Sequence, residues 1–408
     1  MVLNILWAAF FILAFLIAII QSATDNPNIW VELANSVFAT SETGFKIAIN
    51  LTGVLCFWLG MMKIAEKSGL TEILAKLLKP LFYKIMPDIP KSSPAFGSIV
   101  MNIAANVLGL DNAATPMGIK AMEQLQDVNP HKDTASTAQI LFMVINSSAV
   151  TLIPITILMY RYQLGSTYPA AVFIPILIAT SVSTLVGFLA TAIWYKINIF
   201  NKTVLFYLLG GISFVAVMGL GFLAIAPDER TQISYIASNV LLFGLVVFFI
   251  CFGLIKKLNV YELFIEGAKD GFTIAVQIIP YLVAMLVAIG VFRAAGGMDF
   301  VCAGISKFVE TLGLNTDFVA ALPTAIMKPL SGSGARAMML DTFNTYGVDS
   351  FAGFAASIVQ GSTETTFYVL AVYFGAVKIS KTGAALPLAL LADFAGIITA
   401  IAMAYIFY

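Results

Sequence analysis

Long uncharged stretches constrain this chain more than any other feature. They occupy residues 3–20, 47–62, 134–160, 162–195, 203–226, 231–255 and 272–292. Two more, 342–377 and 382–408, are interrupted only by isolated acidic residues. Crossing the hydrocarbon core of a bilayer takes about 20 apolar residues. The sequence therefore predicts an all-α polytopic membrane protein with nine crossings. The first run lacks a positive leading segment and is long for a signal peptide, so it reads as a retained helix.

Composition agrees. Of 408 residues 60% are hydrophobic and 11% charged, against roughly 25% charged in a soluble domain. Mean hydropathy is +0.94. These values exclude a soluble globular enzyme and a disordered chain. The 22 Lys and Arg balance the 22 Asp and Glu, so no net field attracts nucleic acid. Cys56, Cys251 and Cys302 stand singly, and His131 sits in a polar turn. No metal-ligand cluster or nucleophile–base pair is visible, and an enzyme is not expected.

The chain repeats itself. Residues 149–195 align with 362–408 without a gap, placing Tyr160 on Tyr373 and Thr180 on Asp393. Gly44-Phe45-Lys46-Ile47-Ala48 matches Gly271-Phe272-Thr273-Ile274-Ala275, and Lys120-Ala121-Met122 matches Arg336-Ala337-Met338. The organisation read from this is repeat one at 1–198, a connecting transmembrane helix at 199–231 and repeat two at 232–408. One unpaired span between repeats of even crossings inverts the second. Charge placement agrees: residues 63–91 carry six lysines, whereas 293–317 hold only Arg293 and Lys307. By the positive-inside rule the N-terminus is cytoplasmic and the C-terminus lies outside the plasma (inner) membrane. Apolar periodicity within 63–91 (Ile64, Leu70, Ile73, Leu74, Leu77, Leu78, Leu81) suits a helix at the inner interface or one packed on its neighbours.

Segments 94–122 and 318–340 are apolar, broken by Gly, Asn or Ser, then apolar again, and read as re-entrant hairpins. With two broken helices they form paired polar interruptions. Repeat one offers Asn106, Asp111, Asn112 and Thr115, then Asn146, Ser147, Ser148 and Thr151. Repeat two offers Lys328, Ser331, Ser333 and Arg336, then Gln360, Ser362, Thr363, Glu364 and Thr365, with Asp393 beyond. Pro116 and Pro329 lack a donor, and Gly109, Gly332 and Gly334 permit reversal. Ionisable groups at membrane depth are costly and mark function by default. Other readings stay open: Asp111 also suits a helix cap, Lys328 an internal counter-ion for Glu364 or Asp393, and Lys120 and Arg336 snorkelling to an interface.

Two stretches carry a resemblance. Asn106-Val107-Leu108-Gly109-Leu110-Asp111-Asn112-Ala113-Ala114-Thr115-Pro116-Met117-Gly118 resembles the signature of spore maturation protein A. Gly361-Ser362-Thr363-Glu364-Thr365-Thr366-Phe367-Tyr368-Val369-Leu370-Ala371-Val372-Tyr373-Phe374-Gly375 resembles that of spore maturation protein B. The chain looks like a fusion of the two over nearly its whole length. That family falls in the nucleoside-recognition, or gate, group, with parts of concentrative nucleoside transporters and of ferrous-iron transport protein B. The resemblance implies a shared scaffold of hairpin plus broken helix. Gly361-Ser362-Thr363-Glu364 is similar to the Gly-Gln-Thr-Glu nucleobase-binding stretch of the nucleoside transporters, with Ser362 in place of Gln. Asn146-x-Ser148 is similar to their ribose-binding Asn-Phe-Ser-Ser. Separate spore maturation proteins are linked to dehydration of the spore core.

Inverted repeats with broken helices are the usual build of a secondary transporter. The expected activity is movement of a small polar or anionic solute through a central site, coupled to Na+ or H+ and needing no other cofactor. The alternative is a non-transporting membrane scaffold or sensor. The expected partners are the lipid bilayer and the solute, not nucleic acid. Small residues such as Gly187, Gly210, Gly211, Gly219 and Gly221 also suit a homo-oligomer.

Overall fold

A chain in lipid must satisfy its backbone hydrogen bonds internally, and here helices do so throughout. The computed structural model describes every residue except Met1, Asp25, Gly109, Leu110 and Ile153. Side chains of Val2, Leu3, Asn4, Asp111, Asn112, Ala113, Pro227, Asp228 and Thr231 also lie outside the description. The first series of helices is α1 (Val2–Thr24), α2 (Ile29–Lys67), α3 (Leu70–Ile85), α4 (Ala95–Leu108), α5 (Asp111–Val128), α6 (Thr137–Ser147), α7 (Ile155–Gln163) and α8 (Phe173–Trp194). Next comes α9 (Lys202–Leu223). The second series is α10 (Pro227–Ile255), α11 (Val260–Ala294), α12 (Gly297–Thr311), α13 (Leu322–Leu330), α14 (Gly332–Tyr346), α15 (Phe351–Gly361), α16 (Thr366–Ala376) and α17 (Ala385–Phe407). Short 3-10 turns at Pro169–Val172 and Asp317–Ala321 lead into α8 and α13.

Among the described residues seven helices are long and apolar enough to cross a membrane. The chain is a multi-pass membrane protein. The expected crossings at 134–160 and 342–377 are each split in two. α6 has 11 residues and α7 has 9, and α15 and α16 have 11 each. At 1.5 Å per residue, each covers about half of a hydrocarbon core roughly 30 Å thick. The splits have local causes. Ser147 and Ser148 hydroxyls donate to the Val144 carbonyl, tying off α6, and Pro154 lacks a donor just ahead of α7. Ser362 likewise donates to Val359 after α15. The two half-helices also begin alike. Ser136 accepts from the Gln139 amide to cap α6, and Ser350 accepts from the Gly353 amide to cap α15.

The two expected hairpins are pairs of short helices packed on each other, α4 with α5 and α13 with α14. Two details differ from the sequence reading. Pro116 does not break the chain: it lies in the sixth position of α5, where helix continues through it. Nor do Gly332 and Gly334 form a loop. They make the first turn of α14, and the reversal falls on Ser331, whose extended backbone (φ −158°, ψ 116°) and hydroxyl cap that helix at the Gly334 amide.

The two longest helices, α2 and α11, pack against each other along an antiparallel seam. A Cβ on Gly271 would meet the Cys56 Cα at 2.6 Å, one on Gly44 the Val283 Cα at 3.2 Å, and one on Gly267 the Leu59 carbonyl at 2.4 Å. Without glycine the backbones could not approach this closely, and tight apposition is what drives helix association in lipid. α8 and α17 pack antiparallel too: Gly187 lies against Ala392, and Ser183 against Gly396.

Candidate functional site

The split helices and the hairpins converge. The Glu364 amide, in the break between α15 and α16, donates to the Ser147 carbonyl at 2.9 Å, at the end of α6. The Leu152 amide donates to the Val107 carbonyl at 3.0 Å, joining the α6–α7 break to the end of α4. Gly332 of the second hairpin sits so close to Thr365 that a Cβ there would lie 2.7 Å from its hydroxyl. Backbone groups freed by a break in a helix must find partners or carry a desolvation cost of about 1–3 kcal/mol each. Here the breaks satisfy part of one another's need.

Beside this crossing lies a cavity of about 640 Å³, within the range of small-molecule sites. Seven of the residues singled out from sequence line it: Asn106, Thr151, Lys328, Arg336, Gln360, Thr363 and Glu364. Glu364 exposes its carboxylate, Arg336 is half-buried, and Lys328 is buried. Gln360 Oε1 is buried without a hydrogen-bond partner among the described residues, and Thr363 Oγ1 is buried next to the Asp393 carboxylate. The Arg336 guanidinium lies over the Tyr160 ring, 5.8 Å from its centre, a cation–π arrangement that holds the charge in place.

The rest stand outside the wall. Ser147, Ser148 and Ser362 spend their hydroxyls on carbonyls of their own helices. Ser331 caps α14, with Ser333 3.2 Å away. Thr365 begins α16, and half-buried Thr115 lies within α5. Asn146 accepts from Asn106 at 2.8 Å and from the Tyr373 hydroxyl at 3.1 Å, and that hydroxyl accepts from Asn102 at 3.1 Å. Asp393, buried in α17, accepts from Thr366 at 2.6 Å and lies within electrostatic reach of Lys328. The side chains of Asp111 and Asn112 fall outside the described residues.

Sequence reasoning missed one wall of the cavity. Trp58, Lys63 and Glu66 of α2, Asp270 and Gln277 of α11, and Tyr160 of α7 all line it. Lys63 pairs with Glu266 at 3.1 Å and with Glu66 at 3.7 Å. Gln277 could have been found as an isolated polar position in an apolar run, whereas Asp270 sits among Glu266 and Lys269 and carries no such signal. Lys120 aligns with Arg336 in the repeat but is exposed and is not among the residues that line the cavity.

Comparison with known proteins fits this geometry. A family model described as Gate: Nucleoside recognition matches residues 48–163 and 275–380, more than half of the chain. Spore maturation protein A of Bacillus subtilis (strain 168) is 39% identical over 180 residues, 44% of this chain and 89% of the relative. Spore maturation protein B of the same organism is 49% identical over 150 residues, 37% of this chain and 83% of the relative. The chain belongs to the spore maturation proteins of the nucleoside-recognition gate family. The two gate segments run from within α2 to the end of α7 and from within α11 to just past α16. Each thus contains one hairpin and one split helix, the parts that meet at the cavity. No solved structure matches the chain at a significant level.

Proposed function

We propose that this gate-family protein is a transporter that moves a small polar or anionic solute through the central cavity. The observation that carries the reading is the meeting of two split helices and two hairpins at a 640 Å³ cavity holding charged groups at membrane depth. Such groups are expensive in a bilayer unless they serve a solute or ion path. Lys328 and Arg336 offer positive charge to an anionic group, and Glu364, Asn106 and Thr151 offer hydrogen bonds. Asp393 and Glu364 are the acidic groups on which coupling to H+ or Na+ would act. No covalent chemistry is assigned to the cavity.

An inverted arrangement of the repeats belongs to this reading, and the seam supports it. Gly44 touches Val283 while Gly271 touches Cys56, and the offset of 227 residues that relates Gly44 to Gly271 also relates Cys56 to Val283, so the two contacts are equivalent. Equivalent contacts exchanged between antiparallel helices are what a two-fold axis through the seam produces. In α8 and α17, Ser183 faces Gly396, its own counterpart in the repeat. With the lysine-rich 63–91 segment inside, the N-terminus is cytoplasmic and the C-terminus lies outside the inner membrane.

The test is flux. The purified chain is reconstituted in liposomes with labelled nucleosides, carboxylates and amino acids, with and without Na+ or H+ gradients. Uptake or efflux of a probe, abolished in Glu364→Gln, supports the reading. Binding without flux would instead favour a scaffold or sensor.

A further inference from the structure

We propose that the solute is a zwitterion, carrying a carboxylate or phosphate at one end and an ammonium at the other; this rests on the cavity being the solute site. Charges of both signs line the one cavity. Lys63 is matched by Glu66 and Glu266, with Asp270 close by. Lys328 lies near Asp393. Three lining charges are left without an ion pair among the described residues: the Asp270 carboxylate, which stays within electrostatic reach of Lys63, and two of opposite sign, the Arg336 guanidinium and the Glu364 carboxylate. The last two do not pair with each other.

Each of these charges heads a set of the same chemical character. On the acceptor side Glu364 follows closely on Gln360 and Thr363. Both residues line the cavity; Gln360 Oε1 is buried without a hydrogen-bond partner among the described residues, and Thr363 Oγ1, buried next to the Asp393 carboxylate, keeps its lone pairs as acceptors. An ammonium carries three donors and no acceptor, which fits three acceptor groups on one turn of chain. On the other side Arg336 is held over the Tyr160 ring, leaving the edge of its planar fork for a carboxylate or phosphate. Tyr160 Oη, buried beside the Arg336 guanidinium, adds a neutral donor at that end.

Leaving a charge at membrane depth unmatched is costly, and a ligand that matches only one leaves the other exposed to that cost. A simple anion satisfies Arg336 and strands Glu364. A simple cation does the reverse, and an uncharged nucleoside matches neither. A zwitterion neutralises both, which is discrimination by mismatch as much as by fit.

The experiment uses the full chain in lipid nanodiscs and calorimetric titration with the common α-amino acids and phosphoethanolamine. The tightest binder is then compared with its analogues lacking the amine or the acid, and with uridine. The expected result is binding of at least one zwitterion, with each truncation costing tenfold or more. Arg336→Gln should weaken the zwitterion while sparing the amine-only analogue, and Glu364→Gln should do the converse. The spared analogue in each case shows that the variant is folded. The proposal is overturned if no panel member binds, or if the acid-only analogue or uridine binds as tightly as any zwitterion. The two readings fail separately. Zwitterion binding without flux in liposomes removes transport and leaves this assignment, whereas flux of uridine alone does the opposite.

Discussion

The guanidinium of Arg161, 1% exposed at the last turn of α7, donates to the Asp349 carboxylate at 2.9 Å just ahead of α15. It also donates to the Val348 carbonyl at 3.0 Å, the Ser357 hydroxyl at 3.1 Å and the Ser166 hydroxyl at 3.1 Å. Asp349 in turn accepts from the Thr167 amide at 2.6 Å. One buried cation thus staples the end of the first split helix to the start of the second. Removing one partner of a buried charged network leaves the others desolvated and unmatched. Arg161→Met should therefore cost about 2 kcal/mol or more and lower the thermal midpoint in detergent clearly. Asp349→Asn should cost less, because Asp349 is 35% exposed and water can replace part of its bonding. Equal midpoints for Arg161→Met and the parent chain would show that the network contributes nothing net.

Gly118 and Tyr373 make a second, tighter dependence. A Cβ at Gly118 would lie 2.1 Å from the Tyr373 hydroxyl oxygen. That hydroxyl donates to Asn146 and accepts from Asn102, both at 3.1 Å, so the ring cannot swing away without breaking two buried hydrogen bonds. Gly118→Ala should destabilise strongly in the parent chain and less in a Tyr373→Phe background, where the oxygen is gone and the ring, whose Cζ and Cε1 also lie at 2.4 and 2.8 Å, is released from its hydrogen bonds to shift aside. Tyr373→Phe alone should cost about 1 kcal/mol. A double-mutant cycle of thermal midpoints reads the coupling directly, and simple additivity would count against the contact.

These contacts show what the sequence could reveal. The positions of the polar breaks were legible because uncharged runs are interrupted there by Gly, Ser, Thr, Asn and Glu364, and the repeat pointed to the same places twice. Tyr373 was visible as the partner of Tyr160 in the alignment and within the family-like stretch; that its hydroxyl closes the Asn102–Asn146 network depends on the approach of α16 to α4 and α6. Arg161 read as a charge between two crossings, because nothing local says that Asp349, 188 residues later, comes to it. Lys63 falls in a segment that suits a helix at the inner interface or packed on its neighbours, and Glu66 and Asp270 draw no site reading for the same reason. Tertiary approach of α2 to α11 turns them into a cavity wall. Ser331 shows the opposite error. Its Gly-rich neighbours suggested a loop, yet a single capping hydroxyl lets the helix start at once.

The α2–α11 seam predicts an order of severity. At Gly271 an added methyl meets backbone, the Cys56 Cα and N at 2.6 Å, which cannot rotate aside. At Gly44 the nearest atoms lie at 3.2–3.3 Å and include a Val283 methyl that can shift. Overpacking costs about 1–3 kcal/mol when neighbours must move. Gly271→Ala should therefore lower the thermal midpoint well beyond Gly44→Ala, although the two residues are repeat counterparts. The reverse order would mean that the helices are further apart at Gly271 than at Gly44.

The last prediction concerns pH and lies outside the membrane segments. The Lys381 ammonium sits 2.6 Å from Asp133, and the segments carrying them are joined by Lys381 N–H to Asp133 C=O and Ala135 N–H to Lys381 C=O, each 2.9 Å. The hydrogen bond from Lys381, with a second from Thr134, holds the Asp133 carboxyl below the usual carboxylate range. The same pair pushes the Lys381 amine up. A lowered acid stabilises the fold fully above its ordinary pKa of about 4 and loses that contribution as pH falls through the lowered value. A raised base stabilises fully below its ordinary pKa of about 10.4 and loses the contribution as pH climbs through the raised one. Between those limits the midpoint of the parent chain should exceed that of Asp133→Asn by a constant small margin. The margin should shrink on acidification below about pH 4, and 1 M salt should reduce it at neutral pH, because both groups are exposed and easily screened. A margin that is independent of both pH and salt would assign the stabilisation to the backbone bonds between the two segments rather than to the ion pair.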